Sequence, residues 1–353
     1  MPRFVEALCS EIAQRATQFS DSQIPAETIF IGGGTPSLLK PEYLDRIFSE
    51  LGKWFDLSRV KETTIECNPG TITLPNLIDY RRIGINRLSI GVQSFVKEEL
   101  EFLQRIHTPG EAEESIRLAR HAGFDNISID LIFSIPGQTA ASLDYTLKKA
   151  IGLKPEHISA YSLIYEPETP LYDEFTAGRI SKTDDDTDSE LYSHIINTLL
   201  SNGYSQYEIS NFSLNGRKCL HNLKYWKCEE YFGFGPSAHG YLNGERYWNH
   251  KNMNEYFKSI NDNKLPTKGS EILSRKDMIV ERIYLGLRAE GIDTREINNE
   301  FGIDLTVLLS GMLKEYEKEG FLKVTPELIS LTGKGYAVCD GIAAKIISEI
   351  FKK

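Results

Sequence analysis

The sequence predicts an α/β fold: an incomplete parallel (β/α) barrel lacking its first strand, then an α+β segment at the C-terminus. Three observations carry this. Short strand patterns recur about every 30 residues over the first two-thirds of the chain, each followed by a helical pattern, as in parallel βαβ units. The chain opens on a helix with no strand before it, whereas a barrel of this type starts on a strand. From about Ser274 the order becomes three helices and then a hairpin, which reads as a winged-helix-like unit.

Each element follows from local chemistry. Phe4, Leu8, Ile12 and Ala16 form the opening helical stripe, and Thr28-Ile29-Phe30-Ile31 is a short strand ending at Gly32-Gly33-Gly34. Leu44, Ile47, Phe48 and Leu51 share one helix face. Thr63–Cys67 is the next strand, closed by Asn68-Pro69-Gly70; a helix around Leu77 ends near Gly84, and Arg87–Val92 is a strand. A helix marked by Ala112, Ile116 and Ala119 stops at Gly123, a glycine of the kind that follows a helix C-terminus. Ile127–Phe133, Ile158–Leu163 and Tyr207–Ser210 continue as strands, with helices at Leu143–Ile151 and Leu191–Leu199 between them. Residues 1–210 form the partial barrel, 211–270 a Tyr/Trp-rich segment packed on it, and 271–353 the C-terminal domain, whose hairpin is Leu322–Val324 and Leu328–Leu331.

Composition narrows the function classes. The 353 residues are 41% hydrophobic and 25% charged, which is ordinary globular usage. A net charge of −10 argues against a protein that coats nucleic acid. No stretch approaches the ~20 apolar residues of a membrane span, and no signal-peptide core opens the chain. The five cysteines (Cys9, Cys67, Cys219, Cys228 and Cys339) are scattered, with no CxxC or CxxxCxxC, which suits a reducing compartment and a cytoplasmic protein. At most a peripheral membrane contact is expected.

Working residues of a parallel barrel sit at the C-terminal ends of its strands. Gly32-Gly33-Gly34-Thr35-Pro36, Glu66, Gln93 and Asp130 fall at or near that point on four successive strands. A glycine run lets a ligand approach the backbone, acids bind hydroxyl or ammonium groups, and glutamine both donates and accepts. The set suits a zwitterionic, sugar-bearing ligand.

These segments also carry a resemblance. Ile31–Ser37 resembles the glycine-rich motif of radical S-adenosylmethionine enzymes, and more specifically that of the oxygen-independent coproporphyrinogen III oxidase group. The likeness continues through Glu66–Gly70, Gly84–Phe95 and Ile129–Thr139, and covers nearly the whole chain. It implies S-adenosylmethionine contacts at Gly33, Gly34, Thr35, Glu66, Gln93, Arg105 and Asp130. Arg105 alone reads as a solvated helix residue. His221-Asn222-Leu223-Lys224-Tyr225-Trp226 matches the HNxxYW motif of the haem-chaperone (HemW-type) branch. That implies His221 as haem-iron ligand with Asn222, Tyr225 and Trp226 in the pocket. Histidine commonly ligates haem iron, and Tyr and Trp offer flat apolar faces. Cys219 is the weaker alternative ligand, and His239, in Phe234–His239, reads as structural.

The resemblance further implies a 4Fe–4S cluster held by CxxxCxxC after the first strand, and this sequence lacks that motif. As given, the chain is not expected to cleave S-adenosylmethionine to a radical, so no catalytic residue is assigned. The expected explanation is a start assigned inside a longer gene; the other is a truncated form with a binding role only. The expected function is haem uptake and delivery to a haem-accepting protein, a respiratory one included, with dimerisation as part of the picture. The alternatives are oxidative decarboxylation of coproporphyrinogen III and, more weakly, nucleic-acid binding through the winged-helix-like segment.

Overall fold

The computed structural model describes residues 1–20 and 22–352. Its centre is a seven-stranded sheet. The strands are β1 (Thr28–Ile31), β2 (Glu62–Cys67), β3 (Arg87–Gln93), β4 (Ile127–Phe133), β5 (His157–Ser162), β6 (Ser205–Gln206) and β7 (Asn211–Ser213), in the spatial order 1-2-3-4-5-7-6. β1 to β5 are parallel and joined by helical crossovers, whereas β7 runs antiparallel to both β5 and β6. Leu88, Ile90, Val92, Ile129, Leu131 and Ile158 are buried against Leu77, Ile116, Leu147 and Leu199 of the covering helices. At ~25 cal/mol per Å² of apolar surface, this core is the main favourable term in the fold.

The expected strand Tyr207–Ser210 is not one. The pairing falls to either side of it, at β6 and β7, and residues 207–210 bend between them. The Ile209 N–H donates to Arg288 O instead of to a neighbouring strand, and Tyr192 Oη donates to Ile209 O. Tertiary partners override the local pattern here.

The opening helix, α1 (Pro2–Phe19), packs on the helix Pro41–Trp54, and Val5, Cys9 and Ile12 meet Ile47 and Phe55 in a separate small core. Its inner face is also polar. Glu11, fully buried, accepts from Gly235 N, Tyr256 Oη and Asn249 Nδ2, and the Arg15 guanidinium lies 3.9 Å from the Tyr247 ring centre. The helix is thereby tied to the 235–256 region. β1 pairs only with β2; among the described residues no strand covers its other edge, and its four residues are all half-buried.

After β7 a helix (Leu220–Trp226) leads into a three-stranded antiparallel sheet of β8 (His239–Leu242), β9 (Glu245–Asn249) and β10 (Thr267–Ile272). β7 belongs to the large sheet and β10 runs past residue 270, so both expected boundaries of the 211–270 segment cut through sheets. The C-terminal segment holds helices Arg275–Arg288, Thr294–Phe301, Leu305–Leu308 and Ser310–Lys318, the hairpin Leu322–Val324/Leu328–Leu331, and a final helix Cys339–Phe351, around a core of its own. Among the described residues no helix is long and apolar enough to cross a membrane.

Candidate functional site

One cavity of about 1390 Å³ occupies the interior of the open barrel. Its polar end is at the C-terminal ends of the strands. Gly33, Thr35, Glu66, Gln93, Arg105 and Asp130 all line it; Gly34, beside Gly33 in the same loop, does not. Gly33 and Gly34 have φ of +82° and +63°, a conformation that glycine adopts without strain. Gly32 lies so close to Phe30 and Glu66 that a Cβ would stand 2.8 Å and 3.0 Å from their side chains. The Gly33 N–H donates to Glu66 Oε2 at 3.0 Å, which joins the glycine loop to β2.

Gln93 closes β3 with φ +68°, where the β3–β4 register shifts. A non-glycine residue held in this region marks a constrained position that the surrounding structure over-determines. The Gln93 side chain makes no hydrogen bond among the described residues. Asp130 is in mid-strand, with both carboxylate oxygens accepting from Ser89 Oγ at 3.1–3.2 Å. Burial pushes the carboxyls of Asp130 and Glu66 above their ordinary range, and their mutual repulsion adds to the shift at Glu66. Arg105 corrects the solvated-helix reading: it lies beyond the end of the helix Lys97–Phe102, half-buried, with Nε enclosed and lacking a partner. Burial alone holds its guanidinium below the usual arginine range. An enclosed cation with an unused donor in a cavity wall is a site for an anionic group.

The other end of the cavity is at the N-terminal ends of the strands. The helix Leu220–Trp226 sits there with its first turn held by Glu62, whose carboxylate accepts from Leu220 N at 3.0 Å and His221 N at 3.1 Å. His221 stacks on Phe30, with 5.2 Å between ring centres. Its Nδ1 is hydrogen-bonded to Thr28 Oγ1 and its Nε2 to Tyr225 Oη, both at 2.8 Å. Burial pushes its pKa down to about 4, so it is the neutral imidazole at neutral pH. His221, Asn222 and Tyr225 line the cavity, but Trp226 does not. The buried Cys219 turns its thiol to Glu62, and burial pushes it up to about 11, so it is a poor candidate for a metal-binding thiolate. Thr28 opens β1 and Gly32 follows its last residue, so the two groups of residues stand roughly 13 Å apart along that strand.

The rest of the wall is apolar on the helix side, with Phe4, Leu8, Ile12 and Leu51 and with Phe232 and Phe234 stacked 5.8 Å apart, while Arg87, Ser89 and Ser159 line it from the sheet. The residues at the polar end fit S-adenosylmethionine: an unsatisfied cation, two acids and a glycine loop without side chains face one space. They do not fit an iron–sulfur cluster. Among the described residues no three Cys, His, Asp or Glu side chains gather as a metal-binding group, and no chemical step here runs through one. The buried groups at the strand starts (Glu62, Arg87 and His157) were not anticipated; a charged residue opening an otherwise apolar strand such as Arg87-Leu88-Ser89-Ile90 was the available signal.

Residues 2–150 match the Radical SAM superfamily and residues 273–338 the HemN C-terminal domain. A protein of Bacillus subtilis named heme chaperone HemW is 34% identical over 326 residues, covering 92% of this chain and 86% of that one. The heme chaperone HemW of Lactococcus lactis is 35% identical, covering 91% and 85%. The solved coproporphyrinogen III oxidase (HemN) of Escherichia coli superposes with a TM-score of 0.82 over 98% of this chain and 83% of its own, at 24% identity, which speaks to the fold. With about a third of its residues shared across nine-tenths of its length, the chain belongs to the HemW family of radical-SAM-fold proteins.

Proposed function

We propose that this protein is a haem chaperone that takes a haem into the barrel cavity and releases it to a haem-accepting protein, a respiratory one among the candidates. The observation that carries the reading is the single cavity that joins the HNxxYW helix to the glycine-rich end of the sheet. Its volume of about 1390 Å³ exceeds the ~300–1,000 Å³ typical of a small-ligand site, and its wall supplies the apolar and aromatic surface a porphyrin needs. His221 presents the neutral imidazole that ligates iron, once its Nε2 parts from the half-exposed Tyr225 hydroxyl. Asn222 and Tyr225 flank it on the cavity wall.

At the opposite end, Gly33, Gly34, Thr35, Glu66, Gln93, Arg105 and Asp130 would hold S-adenosylmethionine. Bound there it would supply a sulfonium centre beside an amino-acid head group. Arg105 would pair with that carboxylate, and Glu66 and Asp130 would accept from its ammonium or hydroxyl donors. The family likeness supports a cytoplasmic setting and a homodimer as parts of the same proposal.

The test is haemin titration of the purified protein, followed by absorption. The expected result is a saturable Soret shift at one haemin per chain, with His221→Ala weakening the affinity about ten-fold or more, the scale of ~1.4 kcal/mol. Equal affinity and an equal spectrum in the variant would remove His221 as ligand. Conversion of coproporphyrinogen III by the same preparation would favour the oxidase reading instead.

A further inference from the structure

Of the three histidines on the cavity wall, His221 and His239 differ in what their rings are doing. Both nitrogens of His221 are engaged. His239 is exposed, lines the same cavity, and has no hydrogen bond to either ring nitrogen among the described residues. It also lines a second cavity of about 340 Å³ with Tyr225, Tyr231 and Cys228, so it stands where the two spaces adjoin. Its backbone is held firmly. His239 opens β8 opposite Trp248 of β9, and its ring lies at 29° to the Trp248 ring with 6.2 Å between centres. Gly233 packs so tightly against it that a Cβ there would stand 1.8 Å from the His239 carbonyl oxygen. The main chain is thus fixed, and both ring nitrogens of the imidazole it carries are free beside the cavity.

We infer that His239 supplies an iron ligand to the haem held in this cavity. The inference rests on the haem-binding reading and revises the view of His239 as merely structural. Iron at the cavity mouth meets an imidazole that breaks no existing hydrogen bond, whereas ligation by His221 must first displace Tyr225. Tyr225, 5.0 Å from the His221 ring, meets Tyr231 edge-on with 4.6 Å between centres, and both tyrosines line the two cavities together with His239.

Ferric haemin bound to the full chain, read by absorption and electron paramagnetic resonance, tests the inference. His239→Ala should change the iron's spin state and shift the Soret band, with added imidazole restoring the original spectrum. His239→Met should give a third spectrum, that of a thioether ligand. Because His239 is exposed, both variants should unfold at the wild-type temperature. A spectrum and affinity unmoved by either variant, while His221→Ala moves both, would overturn the inference and leave the haem-binding reading standing. No haemin binding by the unaltered protein would overturn that reading, and this inference with it.

Discussion

The two ends of the parallel strands are built from similar residue types, yet they end in opposite states. At the N-terminal ends Glu62 and His157 find protein partners, although the Nε of Arg87 beside them is enclosed without one. Glu62 accepts from two backbone N–H groups, and His157, fully enclosed, is hydrogen-bonded through Nδ1 to Ser128 Oγ at 2.8 Å and through Nε2 to Tyr207 Oη at 2.7 Å. Tyr207 Oη in turn accepts from Cys219 N. At the C-terminal ends, Arg105 Nε is enclosed with no partner, and Glu66 accepts from Gly33 N alone. Buried polar groups in a folded chain are normally paired. Groups whose partners are already present hold the fold, while groups left unpaired in a cavity wall await a ligand.

The sharpest way to break this contrast is at Glu62. Glu62→Ala leaves two N–H groups of the 220–226 helix without an acceptor and removes one of the negative charges that face the enclosed Arg87. Removing one partner from a buried charged set costs about 3–5 kcal/mol, so the variant should show a clear fall in its denaturant midpoint. A loss under about 1 kcal/mol would mean that the N-terminal end is not the structural one.

At the C-terminal end the expectation reverses. Arg105→Gln should leave unfolding nearly unchanged, because its Nε donates to nothing in the protein. It should weaken S-adenosylmethionine binding about ten- to a hundred-fold, matching the ~1.5–3 kcal/mol of a charge-assisted hydrogen bond. Calorimetry giving equal affinity, or a loss of stability as large as that at Glu62, would dissolve the distinction between the two ends.

How much of this was legible in the sequence follows from the range of the interactions. Gly33, Glu66 and Gln93 could be placed because strand rhythm sets where a strand ends, and barrel chemistry gathers there, whereas Asp130 lines the same cavity from mid-strand. Arg105 was visible only through the family likeness: its burial comes from packing beyond the end of its helix, which no local pattern records. Glu62 was silent because its partners lie 158 and 159 residues away. Tyr207–Ser210 misled because its local composition favours a strand, while the main chain of Ile209 is claimed by Tyr192 and Arg288. His239 passed as structural because exposure and an idle ring belong to the folded arrangement alone.

The smallest expected effect concerns pH and belongs to the N-terminal end. Burial, and next the nearby Arg87 charge, hold the His157 imidazole well below its ordinary value, so the folded protein keeps it neutral. The unfolded chain takes up a proton there once the pH falls below about 6.5. Proton uptake by the unfolded state alone favours unfolding, so this contribution is complete above that pH and diminishes as the solution is acidified. The slope is at most about 1.4 kcal/mol per pH unit, the value for one proton. His157→Asn should therefore be less stable than the native protein at pH 8, having lost buried hydrogen bonds. The gap should narrow on acidification towards pH 5, because the variant has no proton to gain at this position. A gap that stays constant or widens between pH 8 and pH 5 would show that His157 is not held neutral, and that the N-terminal end is less saturated than its hydrogen bonds indicate.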